Sequence, residues 1–209
     1  MNALKKDLRY FLVQAFRNLG TSLLTMLLLA AYGYLFFRAD TLWSMLSMGL
    51  LGGAFCLLII FLQQQCGVVP LALGFSSTRR SLFWALEVEK LLVSVLLAGL
   101  TWGGCILMKV GDFSGLSGLC AFFSLVLFAC SFGQFGGSLQ HINRRWGIIA
   151  LLAFWVLFIG AVILFLWANG WEFSTAAIAR LFWPGSVVLL ALSALCTVAT
   201  GRMMRQYAV

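Results

Sequence analysis

Along the chain, long apolar runs alternate with short polar intervals, and within the runs the apolar residues are continuous and do not alternate with polar ones. Continuous runs predict membrane-spanning helices; a barrel would show apolar and polar residues at every second position. Six runs qualify: about Gly20–Phe37, Leu42–Leu62, Leu91–Met108, Leu116–Gly136, Gly147–Ala168 and Pro184–Gly201. At a rise of 1.5 Å per residue these lengths match a hydrocarbon core of about 30 Å, the sixth, like the first and third, only just. The stretch before the first run has a different pattern. Leu4, Leu8, Phe11, Leu12, Ala15 and Phe16 recur at helical spacing, with Lys5, Lys6, Arg9 and Arg17 flanking them. Residues 2–19 therefore predict an amphipathic helix lying at the membrane interface.

Composition agrees with the pattern. Hydrophobic types make up 63% of the 209 residues and charged types 10%, against about 45–50% and about 25% in soluble domains. The mean hydropathy of +1.03 excludes a soluble enzyme. The expected fold class is an all-α polytopic membrane protein in a single transmembrane domain, residues 1–209. The net charge of +8 does not point to nucleic acid, because the cations sit in small groups at the ends of the apolar runs. One side receives Lys5, Lys6, Arg9, Arg17, Arg79, Arg80, Lys90, Arg144, Arg145, Arg202 and Arg205; the other receives Arg38, Lys109 and Arg180. That bias places both termini in the cytoplasm of a multi-pass protein, and it expects no nucleic-acid partner.

Candidate chemistry is sparse. The six cysteines are scattered without ligand spacing, so neither a metal nor a disulfide framework is expected. Gly115-Leu116-Ser117-Gly118 has the form found at intramembrane serine proteases, but the lone histidine, His141, lies at the far end of the same run. A serine nucleophile needs its base within hydrogen-bond reach. No catalytic residue is expected. No Asp, Glu, Lys, Arg or His falls at the middle of a run, which argues against an ion route inside the protein. Nor is there a Gly-Lys-Ser or Gly-Lys-Thr phosphate loop, so the chain has no ATPase of its own and needs no cofactor. Small-residue pairs at Gly49/Gly53, Gly99/Gly103, Gly111/Gly115 and Gly133/Gly137 mark close helix contacts, within the chain or between subunits.

Two polar intervals stand out. In residues 70–90, Ser77 or Thr78 is placed to cap a helix opening at Arg79, after which Arg80, Phe83, Trp84 and Glu87 follow on a basic and aromatic surface. In residues 169–183, Trp171, Phe173, Arg180 and Trp183 belong to an apolar segment on the outer side, too short to be a domain. It reads as a re-entrant segment dipping into the outer leaflet before the sixth span.

The combination resembles the small bacterial permease subunits of type-2 ATP-binding-cassette transporters. The likeness rests on the amphipathic start, six spans with both ends inside, the Ser77-Thr78-Arg79-Arg80 stretch followed by Phe83, and the outer segment. It implies a protein of the bacterial inner membrane that exports a peptide, lipid-like or antimicrobial substrate. Its partners would be two separate ATPase subunits carrying ATP and Mg, a second permease subunit (a copy or a sister chain) and membrane lipid. Arg79, Arg80, Phe83, Trp84 and Glu87 would couple to the ATPase. The competing readings are the substrate-binding membrane subunit of an energy-coupling-factor vitamin importer and a non-transporting membrane scaffold.

The charge bias makes a direct prediction. Single cysteines placed near Arg144 and near Asp112, in a cysteine-free background, are labelled from opposite faces of the membrane by an impermeant thiol reagent. Labelling of both from outside would refute the six-span arrangement.

Overall fold

A computed structural model describes residues 2–37, 42–74, 77–107, 109, 115–145, 147–149, 152, 156 and 181–206. Six α-helices occur among them: α1 (Asn2–Phe37), α2 (Leu42–Gln63), α3 (Val69–Gly74), α4 (Arg79–Leu107), α5 (Leu116–Ile142) and α6 (Phe182–Met204). A π turn, Gln64–Val68, joins α2 to α3 without a break. Counting α2 through α3 as one, five of these helices are long and apolar enough to cross a membrane. The chain is thus a helical polytopic membrane protein. Of the fifth expected span, 147–168, only 147–149, 152 and 156 are described, and all of the outer segment 169–183 except its last three residues lies outside the described residues, so Trp171, Phe173 and Arg180 do too. Trp183 is described and stands exposed in the first turn of α6.

The helix boundaries differ from the expectation in one consistent way: at the basic end the helices run on past the apolar stretches. α1 has no joint at Gly20 and spans 36 residues, about 54 Å. α4 begins at Arg79, twelve residues before the apolar run, and is about 43 Å long. The start of α4 follows from its cap. Thr78 Oγ1 accepts the Ser81 N–H at 3.2 Å, satisfying one of the first free amides. Nothing between Arg79 and Leu91 breaks a helix, and Glu89 and Lys90 find partners on other elements.

α1, α2, α5 and α4 form a ring in that order, and α6 packs mainly against α5. The main core lies inside the ring, with Leu57 and Phe61 from α2, Val93 and Leu97 from α4, and Val126 and Cys130 from α5. A second cluster, including Phe11, Val69, Leu82, Leu86 and Met204, closes the basic end. All six cysteines are unpaired. At the other end the Trp102 indole N–H donates to the Gly115 carbonyl at 3.2 Å and ties the end of α4 to the start of α5. Both ends of the described chain lie at the basic end, where Arg79 Nη1 donates to the Arg205 carbonyl at 3.0 Å and the Ser77 and Ser81 hydroxyls donate to Asp7.

Close approach of α5 to α2 depends on two glycines one turn apart. A Cβ on Gly133 would lie 2.3 Å from the Leu58 carbonyl oxygen, and one on Gly137 2.6 Å from that of Leu62. The small-residue pair read from the sequence is therefore an internal helix contact. The pair Gly99/Gly103 has the same spacing but meets nothing within 4 Å. Gly137→Ala should lower stability by about 1–3 kcal/mol, since backbone atoms must shift. Gly99→Ala should leave it unchanged or raise it by about 0.5–1 kcal/mol through helix propensity. Thermal melting of the two variants in the same detergent checks the contrast.

Candidate functional site

The inward stripe of α1 is not apolar. Asp7, Phe11, Gln14, Ala15, Asn18 and Ser22 are buried, while Tyr10, Val13 and Phe16 face outward. The amphipathic start thus turns a mixed polar stripe into the bundle. Gln14 Nε2 donates to Asn18 Oδ1 at 3.2 Å, and Asn18 Nδ2 in turn donates to Glu89 Oε1 at 2.7 Å. From the opposite side Gln64 Nε2 donates to the same oxygen at 2.9 Å. The Val69 N–H reaches back five residues to the Gln64 carbonyl. This widened turn, of a kind frequent at functional sites, holds Gln64 and Gln65 both inside the bundle. Gln65 is fully enclosed, and its amide has no hydrogen-bond partner among the described residues.

Lys90 follows Glu89 and points elsewhere, because successive residues on an α-helix differ by about 100°. Its ammonium donates to Gln134 Oε1 of α5 at 3.2 Å and to Thr197 Oγ1 of α6 at 2.7 Å. It also forms an ion pair with Glu87, one turn earlier on α4. Glu89 is 1% exposed and Lys90 2%. The sequence placed both in a connection outside the spans. The structure corrects this: they lie about 15 Å along α4 from Arg79, inside the bundle. An unpaired charge there would cost several kcal/mol, so pairing and hydrogen bonds are obligatory. Ser94, Ser131 and Ser138 add buried hydroxyls around the same interior.

At the basic end a groove of about 880 Å³ runs between the start of α4 and the end of α6. Arg79, Arg80, Arg202 and Arg205 line it together with Phe83, Trp84 and Val198, and Thr197 connects it to the Lys90 ammonium. Gly201 makes room for Phe83, whose ring would lie 3.2 Å from a Cβ placed there.

The residues singled out from the sequence therefore divide. Arg79, Arg80 and Trp84 stand exposed at the end of the bundle. Phe83 packs across to α6, and Glu87 turns inward to Lys90, so neither projects freely from this end. Ser117 and His141 stand near opposite ends of α5, about 36 Å apart. The buried network of Gln14, Asn18, Gln64, Glu89, Lys90, Gln134 and Thr197 was missed. Its signals were a Gln/Asn pair at i,i+4 beside apolar positions, three consecutive glutamines closing a span, and Gln134 within the long apolar run of α5. Among the described residues no group of three metal-ligating side chains is gathered.

Comparison with family models, with curated proteins and with solved structures finds no match.

The network predicts non-additive stability effects. Lys90→Met alone leaves Glu87 buried without its cation and should cost about 3–5 kcal/mol. Adding Glu87→Gln should recover at least about 1 kcal/mol of that loss. A double-mutant cycle of denaturation in detergent measures the coupling, and strictly additive losses would show that the pair is not energetically linked.

Proposed function

We propose that the chain is the transmembrane permease subunit of an ATP-binding-cassette transporter of the type-2 kind, working as an exporter with a separate ATPase. The observation that supports this best is the unbroken α4. Arg79 and Arg80 at its start are exposed at the basic end, and ten residues further on Glu89 and Lys90 bond to α1, the π turn after α2, α5 and α6. A force applied at Arg79 has no hinge at which to dissipate before it reaches a side-chain network shared by the other spans. Such a rigid lever suits a protein moved from outside by nucleotide-driven closure of a partner. The sequence contains no phosphate loop, so the motor is a second polypeptide. The permease pair is either two copies of this chain or one copy with a sister.

One observation favours a second reading. A buried carboxylate and ammonium on one helix are what ion-driven carriers use, and Glu89 and Lys90 supply them. The two readings separate in reconstituted vesicles: the permease transports only with its ATPase and ATP, whereas an ion-driven carrier transports on a gradient alone.

Purification in mild detergent with its native neighbours, followed by intact-complex mass measurement, should give two permease-sized chains and two ATPase subunits. Replacing Arg79 and Arg80 together by alanine should lower substrate-stimulated ATP hydrolysis severalfold while the melting temperature holds. A single copy on a shared transducing subunit would favour the vitamin-importer reading. Recovery without any ATPase under every extraction condition would refute the permease and leave the scaffold.

A further inference from the structure

Eleven cations are exposed among the described residues, and ten of them belong to the basic half: Lys5, Lys6, Arg9, Arg17, Arg79, Arg80, Arg144, Arg145, Arg202 and Arg205, with only Arg17 set deeper along its helix; Lys109 alone lies at the opposite end. The three described acids do not offset them at the surface. Asp7 is 5% exposed and takes the Ser77 and Ser81 hydroxyls, Glu89 is enclosed by Asn18 and Gln64, and Glu87 is held by Lys90. The groove between α4 and α6 opens at this end and has no acidic residue in its lining. Its lining is also ordered along the helix axes. Arg79 and Arg80, with Arg202 and Arg205, form the rim, while Trp84 and Val198, both exposed, lie about 6–10 Å deeper toward the apolar part of the bundle.

We propose that this groove is a binding site for an anionic phospholipid of the leaflet on the basic side. The guanidiniums grip the phosphate, for which their planar forks are suited, and one acyl chain lies against Trp84 and Val198. The order of cations over apolar surface matches the order of headgroup over chain in the leaflet. At about 880 Å³ the groove has room for a headgroup and the first part of a chain, within the roughly 300–1,000 Å³ of ordinary ligand pockets. A free phosphate would use the rim and leave the apolar depth without a purpose, and so would an acidic protein segment. Thr197 places the occupant next to the Lys90 network, so a bound lipid bears on the same helices that the buried pair holds together. The site is independent of which transporter class the chain belongs to.

The full-length protein, purified in a neutral detergent, is tested by thermal melting and by native mass measurement after adding phosphatidylglycerol, phosphatidylcholine or inorganic phosphate. Phosphatidylglycerol should raise the melting temperature by several degrees and leave about one retained lipid per chain, and the other two additives should do neither. Val198→Trp fills the apolar depth without touching a charge, and Arg202→Glu with Arg205→Glu reverses half the rim; each should reduce retention at least tenfold. Equal stabilisation by phosphatidylcholine, or by inorganic phosphate alone, would overturn the proposal. So would undiminished retention in Val198→Trp, which would reduce the effect to general attraction by a basic surface. If the charge-reversed variant does not fold, Val198→Trp decides alone.

Discussion

The buried pair of adjacent charges on α4 is the constraint to which the rest of the basic half of the bundle is fitted. Glu89 and Lys90 differ by about 100° around the helix, so one faces α1 and α2 while the other faces α5 and α6. One helix thereby engages four others through two residues. Buried charges held in this way add little net stability compared with apolar residues of the same size, because desolvation offsets their hydrogen bonds and the Lys90–Glu87 attraction. What they add is register. An axial slip of α4 by one residue would strand a carboxylate and an ammonium in a low-dielectric interior, a far larger penalty than any shift of apolar contacts.

Several backbone features follow from satisfying that pair. The π turn that follows α2 brings Gln64 to Glu89. Gly133 and Gly137 let α5 approach the α2 backbone closely, and Gln134 between them reaches Lys90. Asn18 is itself held by Gln14, one turn earlier on α1. These polar side chains are thus positioned by elements that also carry the apolar core.

Internalising acids also shapes the surface. With Asp7, Glu87 and Glu89 turned inward, the end that carries both described termini presents cations with no exposed carboxylate among the described residues. The same pairing that locks the helices therefore strengthens the asymmetry that orients the protein in its membrane. It also makes the rim of the α4–α6 groove strongly cationic.

The sequence by itself determined the class: only helices and closed barrels satisfy their backbone in lipid, and continuous apolar runs without alternation admit only the helices. It also marked local features that depend on neighbouring residues, such as the Thr78 cap at the start of α4 and the close-packing Gly133/Gly137 pair. Tertiary structure decided which polar residues are core. Glu89 meets Asn18 and Gln64 across 71 and 25 residues, and Lys90 meets Gln134 and Thr197 across 44 and 107. Near the end of a span a charged residue reads the same whether it faces water or another helix. Only the packing of distant segments supplies the partners that make burial affordable. The same holds for Gly99/Gly103, identical in spacing to Gly133/Gly137 yet without a neighbour within 4 Å, since spacing fixes a face and the fold decides what lies against it.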